Sequence, residues 1–386
     1  MTRSPFCTYL FGITLLGVVA FAYPIVRVLA ESPATTLAAQ RLAQILERQQ
    51  LFLKSASKPN RPLSEQELTR RAQELVASYE SFLNDNPRDV NALILYGKFL
   101  RRMGQPKQAT GLFLEADKID PRLAVVKQHI ANYLVEEGRL ADALPYLLKA
   151  VELESKEPVY HHQLGTFLFL FSEDLAKLDI ASAETNARSM HAAFRAASKL
   201  APNNFEYKLR YAQSFFDAPD ATWTEALKIW QALREQAKGH PVPEREYLSL
   251  GEARVLSELG RIKEARSILK SIASPALRTT RESLMKRLEQ SPGAEKLTPR
   301  KPQGQKKPDG RETHLVPLPD QFIDDNLRRL RKVSSRLEEE KLLRDLRADA
   351  VRAAYDENGQ IRLRLTGFAD TRPPKAASPA AVVPNL

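Results

Sequence analysis

The chain has 386 residues, of which 43% are hydrophobic, and this is enough apolar material for about two or three packed units. Its net charge of +11 favours acidic partners over basic ones. The single cysteine, Cys7, excludes a disulfide framework and a cysteine metal cluster.

The N-terminal stretch of residues 8–26 carries no charged side chain over 19 positions. As a helix rising ~1.5 Å per residue, it nearly spans the hydrocarbon core of a bilayer. Residues 1–30 are therefore predicted to be either an uncleaved membrane anchor or a signal peptide that is cut near Ala30. The first alternative predicts a bacterial inner-membrane protein with its repeats facing the periplasm, and the second predicts a secreted or periplasmic protein.

Residues 31–86 are predicted to be helical and to cap the open end of the repeats that follow. Ser64 is followed three residues later by Glu67, and this capping-box pattern predicts that a helix begins there.

A pattern repeats every 34 residues downstream of Pro87. In the first unit Ala109, Phe113 and Ala116 share one helical face, and Pro121 follows where the helix pair ends. The small residues allow two helices to approach closely, and the aromatic ring fills the space between them. Corresponding residues mark the later units: Gly138, Ala143, Leu147 and Ala150, then Gly165, Phe194 and Ala197, then Ala212, Ala226 and Trp230, then Ala253, Gly260, Ala265 and Leu269.

This spacing resembles the tetratricopeptide repeat (TPR), a 34-residue helix pair, over about half of the chain, from Asp89 to Ala273. The third unit departs from the pattern by an insertion of about 13 residues near "SEDLAKLDIASAETN". The resemblance implies an all-α fold, a right-handed helical-repeat solenoid of about five helix pairs over residues 87–275. With an N-terminal membrane segment and a separate C-terminal charged helix, this is the predicted fold class.

Three further segments follow the repeats. Residues 276–318 are a basic Pro/Gly-rich linker, and the absence of aromatic residues there argues against nucleic-acid binding. Residues 319–358 are predicted to form one charged amphipathic helix, which either lies on the same chain or forms a coiled-coil homodimer through residues 322–355. Residues 359–386 hold a short strand, "IRLRLTGF", and a disordered tail. The strand is predicted either to add to a partner's sheet edge or to be one arm of a hairpin.

The sequence contains no motif for catalysis, cofactor binding or metal binding. It lacks a phosphate loop, an H-E-x-x-H pair and a G-x-S-x-G elbow. The adjacent His161 and His162 point about 100° apart on a helix, so they cannot share a metal ion. These observations predict a protein that is not an enzyme and uses no cofactor.

In the TPR family, the first helix of each pair lines a concave face on which extended peptides or helices lie. The resemblance places the following residues in that groove: Asn91, Ile94, Lys98, Arg101, Gln128, Asn132, Val135, His162, Thr166, Phe169, Arg210 and Gln213. Their mixture of polar and basic side chains suits a peptide backbone that carries acidic side chains. Some family members clamp a C-terminal carboxylate with Lys and Asn residues, but Ile94 stands where that clamp needs Lys, and Lys98 where it needs Asn.

The predicted function is a non-enzymatic, membrane-anchored or exported scaffold. It binds a protein segment in its groove and supports the assembly of a bacterial envelope complex. Two alternatives stay open: a structural assembly subunit that dimerises through the C-terminal charged helix, and an accessory protein of a polysaccharide or protein export system.

Overall fold

The computed structural model of the chain describes residues 36–56, 62–290, 320–340 and 350–366. The chain divides into two compact units, residues 1–92 with 346–386 and residues 93–345.

The described part of the first unit contains two helices and a β-hairpin: α1 (Leu37–Ala56), α2 (Glu65–Asp85), β1 (Ala350–Tyr355) and β2 (Ile361–Thr366). Ser64 caps α2, because its side-chain oxygen accepts a hydrogen bond from the N–H of Glu67 at 3.3 Å, and this confirms the predicted start of the helix. The buried apolar residues of this unit include Leu42, Ile45 and Phe52 of α1, Leu68, Leu75, Tyr79 and Phe82 of α2, and Val351, Ile361 and Leu363 of the hairpin.

The predicted helix over residues 319–358 is wrong in its C-terminal part, because β1 is an extended strand. It pairs antiparallel with β2, and Tyr355 stands opposite Ile361 next to the connecting turn. The predicted strand is thus one arm of a hairpin, which was one of the two alternatives.

Side chains of α2 hold the outer edge of β1. The Oγ1 of Thr69 accepts a hydrogen bond from the N–H of Ala353 at 2.9 Å and donates one to the carbonyl of Ala353 at 3.2 Å. The Nε2 of Gln73 donates to the carbonyl of Val351 at 2.9 Å. These tertiary contacts favour the strand although its Ala-rich sequence has high helix propensity.

The described residues of the second unit form five helix pairs, and the first helix begins at the boundary between the units. The helices are α3 (Val90–Arg102) with α4 (Pro106–Ile119), α5 (Ala124–Glu136) with α6 (Leu140–Leu153), α7 (Pro158–Leu170) with the short α8 (Ser172–Lys177) and α9 (Ala183–Leu200), α10 (Phe205–Ser214) with α11 (Trp223–Gln236), and α12 (Val242–Glu258) with α13 (Ile262–Ser271). A further helix, α14 (Arg278–Glu289), follows them, so the predicted linker over residues 276–318 is wrong in its N-terminal part.

The two helices of a pair approach closely where a glycine of the first helix faces an aromatic ring of the second. A Cβ atom on Gly97 would lie 2.7 Å from Cε1 of Phe113, and one on Gly165 would lie 2.9 Å from the ring of Phe194. A side chain at either position would therefore force the ring, and with it the second helix, to move.

The fifth pair places its glycine differently from the sequence prediction. Gly251, two residues before the predicted marker Ala253, is the residue whose Cβ would collide with the indole of Trp230 in the preceding pair. Ala253 is buried as well, so two small residues share this part of α12.

The insertion in the third unit contains helix α8. After α8 the chain turns through Asp179, whose φ of 53° lies in the left-handed region. The Nδ2 of Asn186 in α9 donates a buried hydrogen bond to the carbonyl of Leu168 in α7 at 2.7 Å. This bond links the two long helices across the inserted residues.

The C-terminal charged helix is α15 (Asp320–Glu339), and the prediction that it is separate is wrong. It packs against α6, and its apolar residues Val333 and Leu337 are buried. Because these two side chains are covered within the chain, they cannot at the same time form the seam of a coiled coil through residues 322–355.

Charged side chains extend the contact between α15 and α6. Arg336 donates a hydrogen bond to Oδ1 of Asp142 at 2.6 Å, and Arg139 donates to Oε1 of Glu340 at 2.6 Å. Arg139 also contacts Oδ2 of Asp142 at 3.1 Å, so each oxygen of the Asp142 carboxylate is bound by a different arginine.

The predicted fold class also needs correction at its membrane segment. Residues 8–26 lie outside the described residues. Among the helices that the structure describes, none combines the length and the apolar character that crossing a bilayer requires.

Replacing Thr69 by Val should destabilise the hairpin. The change keeps the shape of the side chain but leaves the N–H and carbonyl of Ala353 without their partner, so we expect a loss of about 1–3 kcal/mol in the free energy of unfolding. Urea denaturation and amide hydrogen exchange at Ala353 measure the effect. Thr69→Ser keeps the hydroxyl and should retain most of the stability; equal losses in both variants would contradict the role of the hydroxyl.

Replacing Asp142 by Asn should loosen α15. The two arginines lose their shared carboxylate, which is largely buried at 11% side-chain exposure, and we expect a cost of about 1–3 kcal/mol. Hydrogen exchange across Val333 and Leu337 should become faster. The control is Glu115→Gln, which breaks an exposed ion pair with Lys118 and should cost under about 0.5 kcal/mol. Unchanged exchange in the Asp142 variant would rule out the carboxylate as the anchor.

Candidate functional site

Side chains link the first helices of successive pairs. The Nη2 of Arg101 donates to Glu136 at 2.5 Å, which joins α3 to the end of α5, and Gln163 of α7 donates to Asn132 of α5. We call the set that makes such contacts the polar row, and it consists of Arg101, Asn132, Glu136, Gln163, Gln213 and Tyr247.

Most of the residues that the TPR resemblance places in the groove are half-buried in the structure. They are Ile94, Lys98, Arg101, Gln128, Asn132, Val135, His162, Thr166, Phe169, Arg210 and Gln213. Asn91 differs, because it is exposed and belongs to the first unit.

The structure brings two subsets of these predicted residues together. Lys98 and Arg101 share one face of α3 and both act electrostatically on a histidine of α5. Arg210 donates to Gln213 at 3.3 Å and acts on His162. Each subset thus combines a cationic side chain with a histidine.

The histidine beside Lys98 and Arg101 is His129, which the sequence analysis did not select. Its ring stacks on Phe113, with the ring centroids 4.4 Å apart and the planes 9° from parallel. Both ring nitrogens are buried and have no hydrogen-bond partner within the described part of the chain. We call Lys98, Arg101 and His129 the basic cluster.

Burial governs the protonation of the basic cluster. Loss of water lowers the pKa of His129 well below its usual value, and the charges of Lys98 and Arg101 lower it further, so its imidazole is neutral. Burial also lowers the pKa of Lys98, and it lowers the pKa of Arg101 against the opposing effect of Glu136. Nη1 of Arg101 is buried and makes no hydrogen bond to a described residue.

His162 occupies a comparable place one pair further along. Its ring lies 4.7 Å from that of Tyr207 and 5.7 Å from that of Phe194, measured between centroids. Burial, and then the charge of Arg210, lower its pKa to about 4. Its Nε2 is buried without a hydrogen bond to the described residues, and so is Oε1 of the neighbouring Gln163.

The 34-residue spacing contained a signal for the missed residues. His129 and Gln163 are one repeat apart and occupy the same position in the second and third units. The predicted groove residues Gln128 and His162 come directly before them in the sequence. Because this position is polar in both units, comparing the two units position by position would have identified His129 and Gln163.

The described residues contain no group of three or more His, Cys, Asp or Glu side chains that could hold a metal ion. Along the first helices, the described side chains offer hydrogen-bond donors, acceptors and positive charge.

No protein-family model and no curated protein matches the sequence. Solved structures of TPR proteins are similar to it, in agreement with the resemblance of the repeats. One is YrrB, described as a TPR protein with an unusual peptide-binding site, at 16% identity, a TM-score of 0.42, and coverage of 55% of this chain and 97% of that one.

Two further similar structures are from Pseudomonas aeruginosa and Parabacteroides merdae. PilF of Pseudomonas aeruginosa is 16% identical, with a TM-score of 0.41 and coverage of 63% of this chain and 99% of that one. A TPR protein of Parabacteroides merdae is 12% identical, with a TM-score of 0.39 and coverage of 77% and 99%. At these identities the likeness concerns the fold alone.

Stability should fall as the pH drops from about 7 to 5. His162 and His191 each have a pKa lowered to about 4 by burial, so the unfolded chain, with a value near 6.5, binds more protons in this range. Their contribution is complete above pH 6.5 and is lost as the pH falls toward 4, at about 2 kcal/mol per histidine by pH 5. Urea denaturation at several pH values measures it.

Variants separate the histidines from other groups. His162→Gln and His191→Gln should each flatten the dependence of the unfolding free energy on pH. Ser249→Ala is the control, because it removes only an exposed hydroxyl that donates to the carbonyl of Arg245 and changes no titratable group, so it should keep the wild-type dependence. A flat profile in the wild-type protein would show that neither ring is held neutral.

Proposed function

We propose that the protein is a non-catalytic scaffold that binds an extended segment of a protein partner along its first helices. The fold supports protein–protein interaction in general terms. The polar row supports the binding of an extended segment, because it links the helices α3, α5 and α7 into one continuous surface.

The unsatisfied polar atoms along this surface are the observation that carries the proposal. Arg101, His129, His162 and Gln163 all hold buried nitrogen or oxygen atoms without a hydrogen bond inside the described structure. More than nine in ten buried polar groups in native proteins are hydrogen-bonded, so four such residues on neighbouring first helices indicate a partner that supplies the missing bonds. A peptide backbone offers alternating donors and acceptors and fits this need.

The spacing of the helices sets the length of the bound segment. Neighbouring helices pack with axes ~8–10 Å apart, and an extended chain advances ~3.3 Å per residue. Each helix pair therefore corresponds to about three residues of the partner. The surface from α3 to α7 would hold about six residues.

The packing of α15 does not favour the alternative of a subunit that dimerises through this helix. Val333 and Leu337, the residues that such a contact would use, are buried against α6.

Selection of binders from a random peptide library against the full-length protein tests the proposal. We expect peptides that bind the wild-type protein with micromolar Kd and that lose about 3–10-fold in affinity with Gln163→Ala or His162→Ala, since each change removes about one hydrogen bond. Fluorescence anisotropy measures Kd, and circular dichroism checks that helical content is unchanged.

A matched variant lies on a second helix. Glu152→Gln breaks the ion pair of Glu152 with Lys149 in α6, away from the first helices, and should leave the peptide affinity unchanged. Peptides whose affinity responds to Glu152→Gln but not to the first-helix variants would refute the proposed surface.

A further inference from the structure

We infer that the solvent-exposed side of α15 binds the phosphate groups of a bilayer that contains anionic phospholipids. The inference goes beyond the proposed function, because α15 contributes no residue to the polar row. We call the residues that form this surface the cationic face, and they are Arg329, Arg331, Lys332, Ser335 and Arg336.

A depression on α15 brings the residues of the cationic face together. Its volume is about 480 Å³, and the cationic face lines it together with Val333. Arg329, Lys332 and Arg336 follow one another at steps of three and four residues, so they share one side of the helix. Lys332 and Arg336 are exposed, whereas Val333 is buried. Charged ends of long side chains therefore surround this space.

Three cations of this face have no acidic partner in the described part of the chain. Arg336 is bound to Asp142, but Arg329, Arg331 and Lys332 form no ion pair with a residue that the structure describes. Arg329 and Lys332 stand three residues apart, and like charges at this spacing on a helix repel each other. An anion between them removes the repulsion, and arginine binds phosphate oxygens through two parallel N–H groups.

The packing of α15 on α6 determines how the cationic face meets a bilayer. Val333 and Leu337 are 1% and 0% exposed, so these apolar side chains are not available to insert among acyl chains. The side of the helix that faces solvent offers charge instead. Contact with lipid head groups is therefore electrostatic, and salt screens it.

The segment before α15 carries charge of the same sign. Residues 296–311 contain one acidic residue, Asp309, and six basic ones, which are Lys296, Arg300, Lys301, Lys306, Lys307 and Arg311. At the other end, Glu338 and Glu339 follow the cationic face on α15. The excess of positive charge thus extends from the cationic face toward the preceding segment, and it adds to the attraction of an anionic surface.

The chemistry of the cationic face favours a lipid surface over a nucleic acid or a protein. Nucleic-acid interfaces add side chains that hydrogen-bond to base edges or aromatic rings that stack on bases, and this face has cations and one hydroxyl. Protein interfaces have an apolar core, and no large apolar side chain of α15 is fully exposed among its described residues. An anionic bilayer requires only clustered positive charge.

Vesicles of two compositions test the inference on the full-length protein. One contains phosphatidylcholine alone, and the other contains phosphatidylcholine with one third of phosphatidylglycerol, which adds negative charge. Co-sedimentation gives a partition constant for each composition, and their ratio removes any binding that does not depend on lipid charge. Duplex DNA of mixed sequence and glycerol 3-phosphate are measured in parallel, to separate a lipid surface from a nucleic acid and from free phosphate.

We expect the partition constant to be at least about tenfold higher on the anionic vesicles, and to fall at least about tenfold when NaCl is raised from about 0.05 to 0.5 M. Replacing the three cations that lack an acidic partner together, as Arg329→Gln, Arg331→Gln and Lys332→Gln, should lower binding to the anionic vesicles about 100-fold, since each cation contributes about fivefold. Hydrogen exchange at Val333 and Leu337 checks that α15 stays packed on α6.

A charge-matched triple variant on other helices is the control. Lys199→Gln, Lys228→Gln and Lys270→Gln remove the same charge from exposed positions on α9, α11 and α13 and should change the ratio less than about twofold. Equal binding of the wild-type protein to both vesicles, or binding that salt does not weaken, would overturn the inference without any variant. Equal losses in the two triple variants, tighter binding to the DNA than to the anionic vesicles, or displacement from the vesicles by millimolar glycerol 3-phosphate would do the same.

Discussion

The contact between a glycine of a first helix and an aromatic ring of a second helix determines how closely the helices of a pair approach. Phe113 connects this contact to the candidate site. Atoms of its ring lie where a Cβ of Gly97 would collide, and the same ring stacks on His129 of the next pair. The residue that fixes the first pair therefore also orients the histidine at the candidate site, so the core and the surface share one side chain.

Two kinds of contact hold the helices of the second unit together. Within a pair, apolar side chains and small residues pack against each other. Between successive first helices, hydrogen bonds such as Arg101 to Glu136 and Gln213 to Tyr247 run along one side, at 2.5 and 2.7 Å. Apolar packing stabilises the pairs, whereas the side with the polar contacts also holds buried donors and acceptors that have no hydrogen-bond partner among the described residues. A repeat array can thus be rigid and still present unsatisfied groups.

The sequence predicted what depends on local spacing and missed what depends on contacts between distant residues. The steps from Ala109 to Phe113 and Pro121 revealed the helix pairs, since these are fixed by neighbours within one repeat. Strand β1 was missed because its three Ala residues and Arg352 favour a helix, whereas hydrogen bonds from Thr69 and Gln73 to its edge favour the strand. His129 was missed although its spacing from Gln163 is one repeat, because its burial and its lack of partners are visible only in the packed structure.

Helix α15 changes how the array holds together. Repeat proteins are nearly one-dimensional, since each unit contacts only its neighbours. The bond from Arg336 to Asp142, however, joins residues 194 positions apart and returns the chain to the second pair. Closing this loop costs conformational entropy, although that cost grows only slowly with the length of the loop. A break near the C-terminus would consequently be felt at α6, close to the start of the array, and an otherwise modular stack gains a long-range cooperative link.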